Sequence, residues 1–388
     1  MERDQAIKFM LDLLKLMLQK NASDLFITVS FPPAMKIDGK MTPVSKQALT
    51  PENAKAMTYA IMNDRQLKEF EATKECNFAV SPPGIGRFRC NAFVQQGHPG
   101  LVMRTITTEI PTIEQLQLPE VLKDVVMTKN GLVIMVGGTG SGKSTSLAAM
   151  IDFRNQNSYG HIITIEDPVE YVHPHKNCVI MQREVGVDTE DWDIALKNTL
   201  RQAPDVILLG EIRDRETMEF GIQFAETGHL ALATLHANNA NQALDRIINF
   251  FPEERRQQLL MDLSANLKGI ISQRLIKKAD GSGRVAAIEI LLNSPLIKDL
   301  ILKGEVHEIK PIMAKSNELG MKTFDQALFD LYEEDRITYD DAMRYADAVN
   351  ELRLRIKLQG KEAKSKDVLS DVGYLSLQET EEEQGLLR

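Results

Sequence analysis

Gly137-Gly138-Thr139-Gly140-Ser141-Gly142-Lys143-Ser144-Thr145 satisfies the pattern G-x-x-x-x-G-K-[ST] in full, and the run before it, Leu132-Val133-Ile134-Met135-Val136, is wholly apolar. The run after it, Ser146-Leu147-Ala148-Ala149-Met150, suits a helix. That order predicts a buried strand, a glycine loop and a helix beginning near Lys143. Glycines let backbone N–H groups turn inward onto phosphate oxygens, and the helix adds its positive N-terminal end. Lys143 then reaches the β- and γ-phosphates, and the Ser144 hydroxyl can hold Mg²⁺. The expected nucleotide cradle is Gly138, Thr139, Gly140, Ser141, Gly142, Lys143, Ser144 and Thr145.

Outward from the loop, strands and helices alternate. His161 to Ile165, Val206 to Leu209 and Leu230 to Leu235 read as further uninterrupted apolar strands. Such strands with helices between them imply a mostly parallel sheet covered on both faces. Helical segments after about Pro252 are expected to complete this domain. Residues 1–108 read as a smaller α+β domain. Its features are a helix over Ile7 to Leu18, a Thr50-Pro51-Glu52 helix start, and a hairpin from Asn77 to Val94. A further strand is expected over Gly100 to Ile106. A turn at Asp38-Gly39 and a linker at 109–114 around Ile110-Pro111-Thr112 are also expected. The larger domain then spans 115–359. Residues 360–388, with the acidic run Glu379-Thr380-Glu381-Glu382-Glu383, read as a disordered tail. Tyr374-Leu375-Ser376-Leu377 stands in it as a candidate docking segment.

Composition narrows the class. The chain has 388 residues, 43% hydrophobic and 26% charged, with a net charge of −9. That sign disfavours a nucleic-acid-coating protein. The cysteines, Cys76, Cys90 and Cys178, form no CxxC, so neither a disulfide framework nor a cysteine zinc site is expected. No secretory leader pattern follows Met1. Lys8, Asp12 and Lys15 interrupt the first apolar stretch, which favours an amphipathic helix on its own domain over a membrane anchor.

Chemistry beyond phosphate binding needs groups at the carboxyl ends of the strands, where ligands of open parallel sheets gather. Glu166 in Ile165-Glu166-Asp167-Pro168 ends one strand and can orient and deprotonate water. Glu211 follows Val206-Ile207-Leu208-Leu209-Gly210, a Walker B arrangement that can reach Mg²⁺. Either could be the general base, with Glu166 favoured. His229 and His236 bracket the strand Leu230 to Leu235 and are candidates for contact with the γ-phosphate or the water. Arg87 and Arg89 share one strand face, with Arg104 on a neighbouring strand. These guanidiniums can neutralise a triphosphate.

Together these motifs resemble the type II/type IV pilus secretion ATPases, whose signatures are a Walker A loop, an Asp box (here Ile163 to Tyr171), a Walker B and a His box. No cysteine stands between Ser272-Gln273-Arg274-Leu275 and Arg284, whereas assembly ATPases carry a four-cysteine insertion there. The resemblance is therefore to the retraction branch, the PilT/PilU type. Leu296-Ile297-Lys298-Asp299-Leu300-Ile301-Leu302-Lys303 keeps the apolar spacing of the PilT motif A-I-R-N-L-I-R-E but loses both arginines and the final acid, which leans toward PilU. The resemblance implies a PAS-like N-terminal domain and a RecA-like ATPase domain. It also implies a hexameric ring, ATP with Mg²⁺, and arginines Arg87, Arg89 and Arg104 acting in trans. The implied partners are a PilT-type retraction ATPase and an inner-membrane platform protein, with no nucleic acid. The implied place is the cytoplasmic face of the pilus base, with membrane contact only through partners. A RecA-like nucleic-acid motor and a slow signalling scaffold are the competing classes.

Overall fold

The structure is a computed structural model that describes residues 2–37, 39–106 and 109–360; Asp38 of the expected turn, the 107–108 boundary and the tail from 361, with Tyr374 to Leu377, lie outside the described residues. In the helix Arg3–Gln19, Ala6, Met10, Leu13, Leu14 and Met17 are buried at three- and four-residue spacing. That stripe packs the helix on a sheet, as its pattern predicts. The sheet contains β1 (Asp24–Ile27), β2 (Ala34–Ile37), β3 (Lys40–Pro43), β4 (Glu75–Val80), β5 (Arg87–Gln95) and β6 (His98–Ile106), in the order β3-β2-β1-β6-β5-β4. All its pairings are antiparallel. Thr50 caps the helix Pro51–Ala60 by accepting from Asn53 N at 3.3 Å. Along β5 the side chains alternate: Phe88, Cys90 and Ala92 face the core, and Arg87 and Arg89 face the other way.

The second sheet holds β7 (Gly131–Val136), β8 (Gly160–Glu166), β9 (Cys178–Glu184), β10 (Val206–Leu209), β11 (Leu230–Leu235), β12 (Leu267–Lys277) and β13 (Arg284–Leu292). Their order is β13-β12-β7-β11-β10-β8-β9, parallel except for the β12–β13 hairpin. β7 and β11 are buried at every residue. Leu132, Ile134 and Val136 enter the core on one face, while Val133 and Met135 enter the core on the other. Double burial is why these strands are apolar without alternation.

The region after Pro252 departs from expectation. The helix Glu253–Asn266 is present, but the chain then forms β12 and β13 rather than further helix. Ile270, Ile271 and Ile276 are buried, and the turn between the strands carries Asp280-Gly281. β-Branched residues and a glycine turn favour a hairpin. The helices Phe324–Glu333, Tyr339–Tyr345 and Val349–Gln359 then pack on β13 through Val285 and Ala287. Among the described residues, no helix is long and apolar enough to cross a membrane.

Candidate active site

The carboxyl ends of β7, β8, β10 and β11 lie along one edge of the sheet because the strands are parallel and in register. A cavity of ≈ 260 Å³ opens there, lined by Thr139, Lys143, Ser144, Glu166, Glu211 and His236 among others. The helix Lys143–Asn157 starts at its mouth. Lys143 is 8% exposed, and its Nζ donates to Gly137 O at 2.7 Å and Gly138 O at 3.0 Å. Ser141 Oγ is enclosed and, among the described residues, has no hydrogen-bond partner.

Gln273, on β12, holds the loop from beneath. Its Nε2 donates to Ser141 O at 2.9 Å, and its Oε1 accepts from Ser146 Oγ at 2.7 Å. Gly142 has φ +87°, and a Cβ there stands 2.6 Å from Gln273 Nε2. Gly142→Ala is expected to weaken ADP binding by about tenfold or more. The left-handed conformation alone costs a Cβ-bearing residue about 1–2 kcal/mol. Calorimetric titration with ADP checks it, with circular dichroism as the control for folding.

Glu166 ends β8. Its Oε1 accepts from Thr164 Oγ1 at 2.6 Å and Gln182 Nε2 at 3.3 Å. Burial pushes its carboxyl up to about 7, against those two hydrogen bonds. A carboxylate poised there can take a proton near neutral pH. Glu211 stands in different surroundings. Its Oε1 is 3.4 Å from His236 Nε2, and its Oε2 is 3.4 Å from Arg213 Nε. Its charge also opposes the burial that lowers the Lys143 ammonium. Glu211 and Ser144 present two hard oxygen donors to one cavity. That set suits Mg²⁺, which takes few protein ligands and keeps phosphate and water around it.

The structure brings His236 into this site but not His229. Gly131 N donates to His229 O at 3.0 Å, so His229 sits where β7 and β11 begin. The loop lies at their far end, roughly 20 Å away along the strand. Contact between His229 and the phosphates of its own chain is therefore corrected: its Nδ1 lies 3.0 Å from Thr227 Oγ1 and 3.2 Å from Phe224 O.

Arg87 and Arg89 share one face of β5, and Arg104 on β6 is the direct partner of Arg89. None of the three lines the cavity. Arg104 Nε bonds Asp24 Oδ1 at 2.8 Å. Arg87 Nη2 reaches Glu184 Oε2 of its own chain at 3.4 Å, and Glu184 pairs with Glu166 across β8 and β9. Arg87 thus stands one strand away from Glu166 in cis, whereas the resemblance implies action in trans.

Residues 2–322 match the family described as type II/IV secretion system protein. The type IV pilus ATPase PilU of Pseudomonas aeruginosa is 58% identical over 371 residues, covering 96% of this chain and 97% of that protein. The type IV pilus retraction ATPase PilT of the same organism is 42% identical, covering 86% and 97%. The chain belongs to the PilT/PilU family. A crystal structure of the pilus retraction motor PilT with bound ADP superposes with a TM-score of 0.83 at 40% identity, covering 89% of this chain and 98% of that one. The chain is thus a type IV pilus motor ATPase: it binds nucleotide and hydrolyses ATP.

Several residues around this family's nucleotide site were not singled out in the sequence. Gln182 bridges Glu166 and Tyr171 O, Tyr171 Oη lies 2.8 Å from Thr145 Oγ1, and Arg213 stacks 5.6 Å from the Trp192 ring. Thr164 was legible: it sits two residues before Glu166 on the same strand face.

Proposed function

We propose that the chain forms a six-membered ring whose ATP cycle powers pilus retraction together with a second, PilT-type ATPase. In this reading the loop from Gly138 to Thr145 cradles the phosphates and Lys143 bridges the β- and γ-phosphates. Glu166 accepts the proton of the attacking water, and His236 meets the γ-phosphate. Ser144 and Glu211 would hold Mg²⁺, which when bound supplies positive charge to the phosphate oxygens. The observation that carries the chemistry is the meeting of Lys143, Glu166, Glu211 and His236 on one cavity. Arg87, Arg89 and Arg104 add cationic charge as the small domain closes. The Arg87–Glu184 contact favours closure onto the same chain's site. Closure and release around the ring displace a platform protein in the inner membrane from its cytoplasmic side.

A second reading, a ring partner that cannot retract pili alone, is favoured by the helix Pro295–Lys303. Ile297, Leu300 and Ile301 are buried, while Leu296 and Leu302 are each 49% exposed where the PilT motif has Ala and Arg. Shortening of labelled pili, measured with and without the PilT-type ATPase, separates the two readings. Retraction is expected to weaken when this chain carries Lys143→Ala beside an intact partner ATPase. Unchanged retraction force would remove the motor reading, and full retraction without the partner would remove the accessory one.

A further inference from the structure

In the middle of β12, where a buried strand ordinarily carries apolar residues, Ser272 and Gln273 are followed by Arg274. Its side chain is 20% exposed and stacks 3.9 Å over the Phe324 ring. Its fork joins two segments distant in sequence. Nη2 donates to Asn238 O at 3.0 Å and to Asp347 Oδ1 at 2.7 Å, while Nη1 donates to Tyr345 O at 2.5 Å. Asp347 is the hub. Its Oδ2 accepts from Asn239 Nδ2 at 3.1 Å and from Lys310 Nζ at 2.5 Å. Burial opposes its charge, yet Lys310 and Arg274 together hold its carboxyl below the usual range. Asp347 N and Ala348 N in turn donate to Asp325 at 2.8 and 3.0 Å.

Asn238 and Asn239 follow His236 after one residue, Ala237, and Asn239 caps the next helix by accepting from Gln242 N at 2.9 Å. His236, Asn238 and Gly138 line a second cavity of ≈ 380 Å³ beside the phosphate loop. The segment 236–239 is therefore held at the nucleotide site from below by Arg274 and from the C-terminal side by Asp347.

We propose that Arg274 is a positioning residue for ATP hydrolysis: anchored by Asp347, it fixes the 236–239 segment so that His236 is presented to the γ-phosphate. The C-terminal segment 345–347 is thereby part of the support of the active site. A change at the helices Phe324–Glu333 or Val349–Gln359 reaches His236 through two side chains. The inference rests on the proposed role of His236.

The test is a double-substitution cycle on the full chain, read as steady-state ATPase. Asp347→Asn is expected to lower kcat about tenfold with KM for ATP within about twofold, since the loss is of orientation rather than binding. On a His236→Ala background the same change is expected to lower kcat less than twofold. Lys310→Met removes the other cation from Asp347 without touching the 236–239 segment, and is expected to leave kcat within about twofold even where Tm falls equally. Arg274→Lys, which keeps the charge and loses the fork, repeats the cycle should Asp347→Asn fail to fold by circular dichroism. A full tenfold loss on the His236→Ala background overturns the positioning role while the reading of His236 stands. An unchanged kcat for His236→Ala alone overturns both.

Discussion

Lys143→Ala is expected to lower ATP hydrolysis by at least about 10²-fold, with no fall in Tm. The two halves of that result come from the same burial. Lys143 Nζ is enclosed among the Gly137 and Gly138 carbonyls, a position a phosphate oxygen shares once bound. An ammonium held there acts on developing negative charge in a partly desolvated site, where a charge-assisted bond is stronger than in water. Alanine removes it, and among the described residues no other lysine lines the cavity. The fold loses little, because alanine is the strongest helix former at the start of Lys143–Asn157. Burial also lowers the Lys143 ammonium below its ordinary value, with Glu211 opposing. A depressed ammonium destabilises the folded state wherever it is charged, so its removal relieves a cost at neutral pH. Phosphate release and a thermal scan on one preparation check both halves. A variant that hydrolyses ATP at the normal rate removes the loop from the reaction. A variant inactive only because its Tm has collapsed assigns Lys143 a structural role.

The loop and strands β7, β8, β10 and β11 were legible because each is a short apolar run with glycine or an acid at its end, and double burial permits little else. β12 was not, because Ser272, Gln273 and Arg274 interrupt its apolar pattern. Their partners, Glu289, the phosphate loop and Asp347, are brought in by the fold. β9 hid for another reason. It is the edge strand, with Val179 and Met181 about half exposed, and His173-Pro174-His175-Lys176 before it reads as loop. The place of His229 was legible too. Both histidines bracket one strand, and once that strand is parallel to β7, only its carboxyl end can meet the loop.

Glu166→Gln is expected to lower kcat by about 10²–10⁴-fold while leaving ADP affinity nearly intact, because the amide keeps the shape and loses the basic lone pair. Glu166 and Glu211 divide by environment. The Arg213 guanidinium and the His236 ring converge on Glu211, whereas Thr164 and Gln182, both neutral, hold Glu166. Only ionised Glu166 can accept a proton, and its carboxyl is pushed up to about 7, so wild-type kcat should fall as pH drops through about 7. The same shift fixes a stability effect. The folded chain favours protonated Glu166, so the cost of its charge is absent below the ordinary value of 4.5, grows between 4.5 and about 7, and is complete above. Glu166→Gln should therefore stabilise the protein at pH 8, by ~3 kcal/mol at most, and change nothing near pH 4.5. ATPase rates across pH 5.5–9 and Tm at the two ends decide the matter. A Glu166→Gln enzyme with a normal rate gives the base to Glu211, and an equal change in Tm at both pH values refutes the half-buried, proton-holding carboxyl.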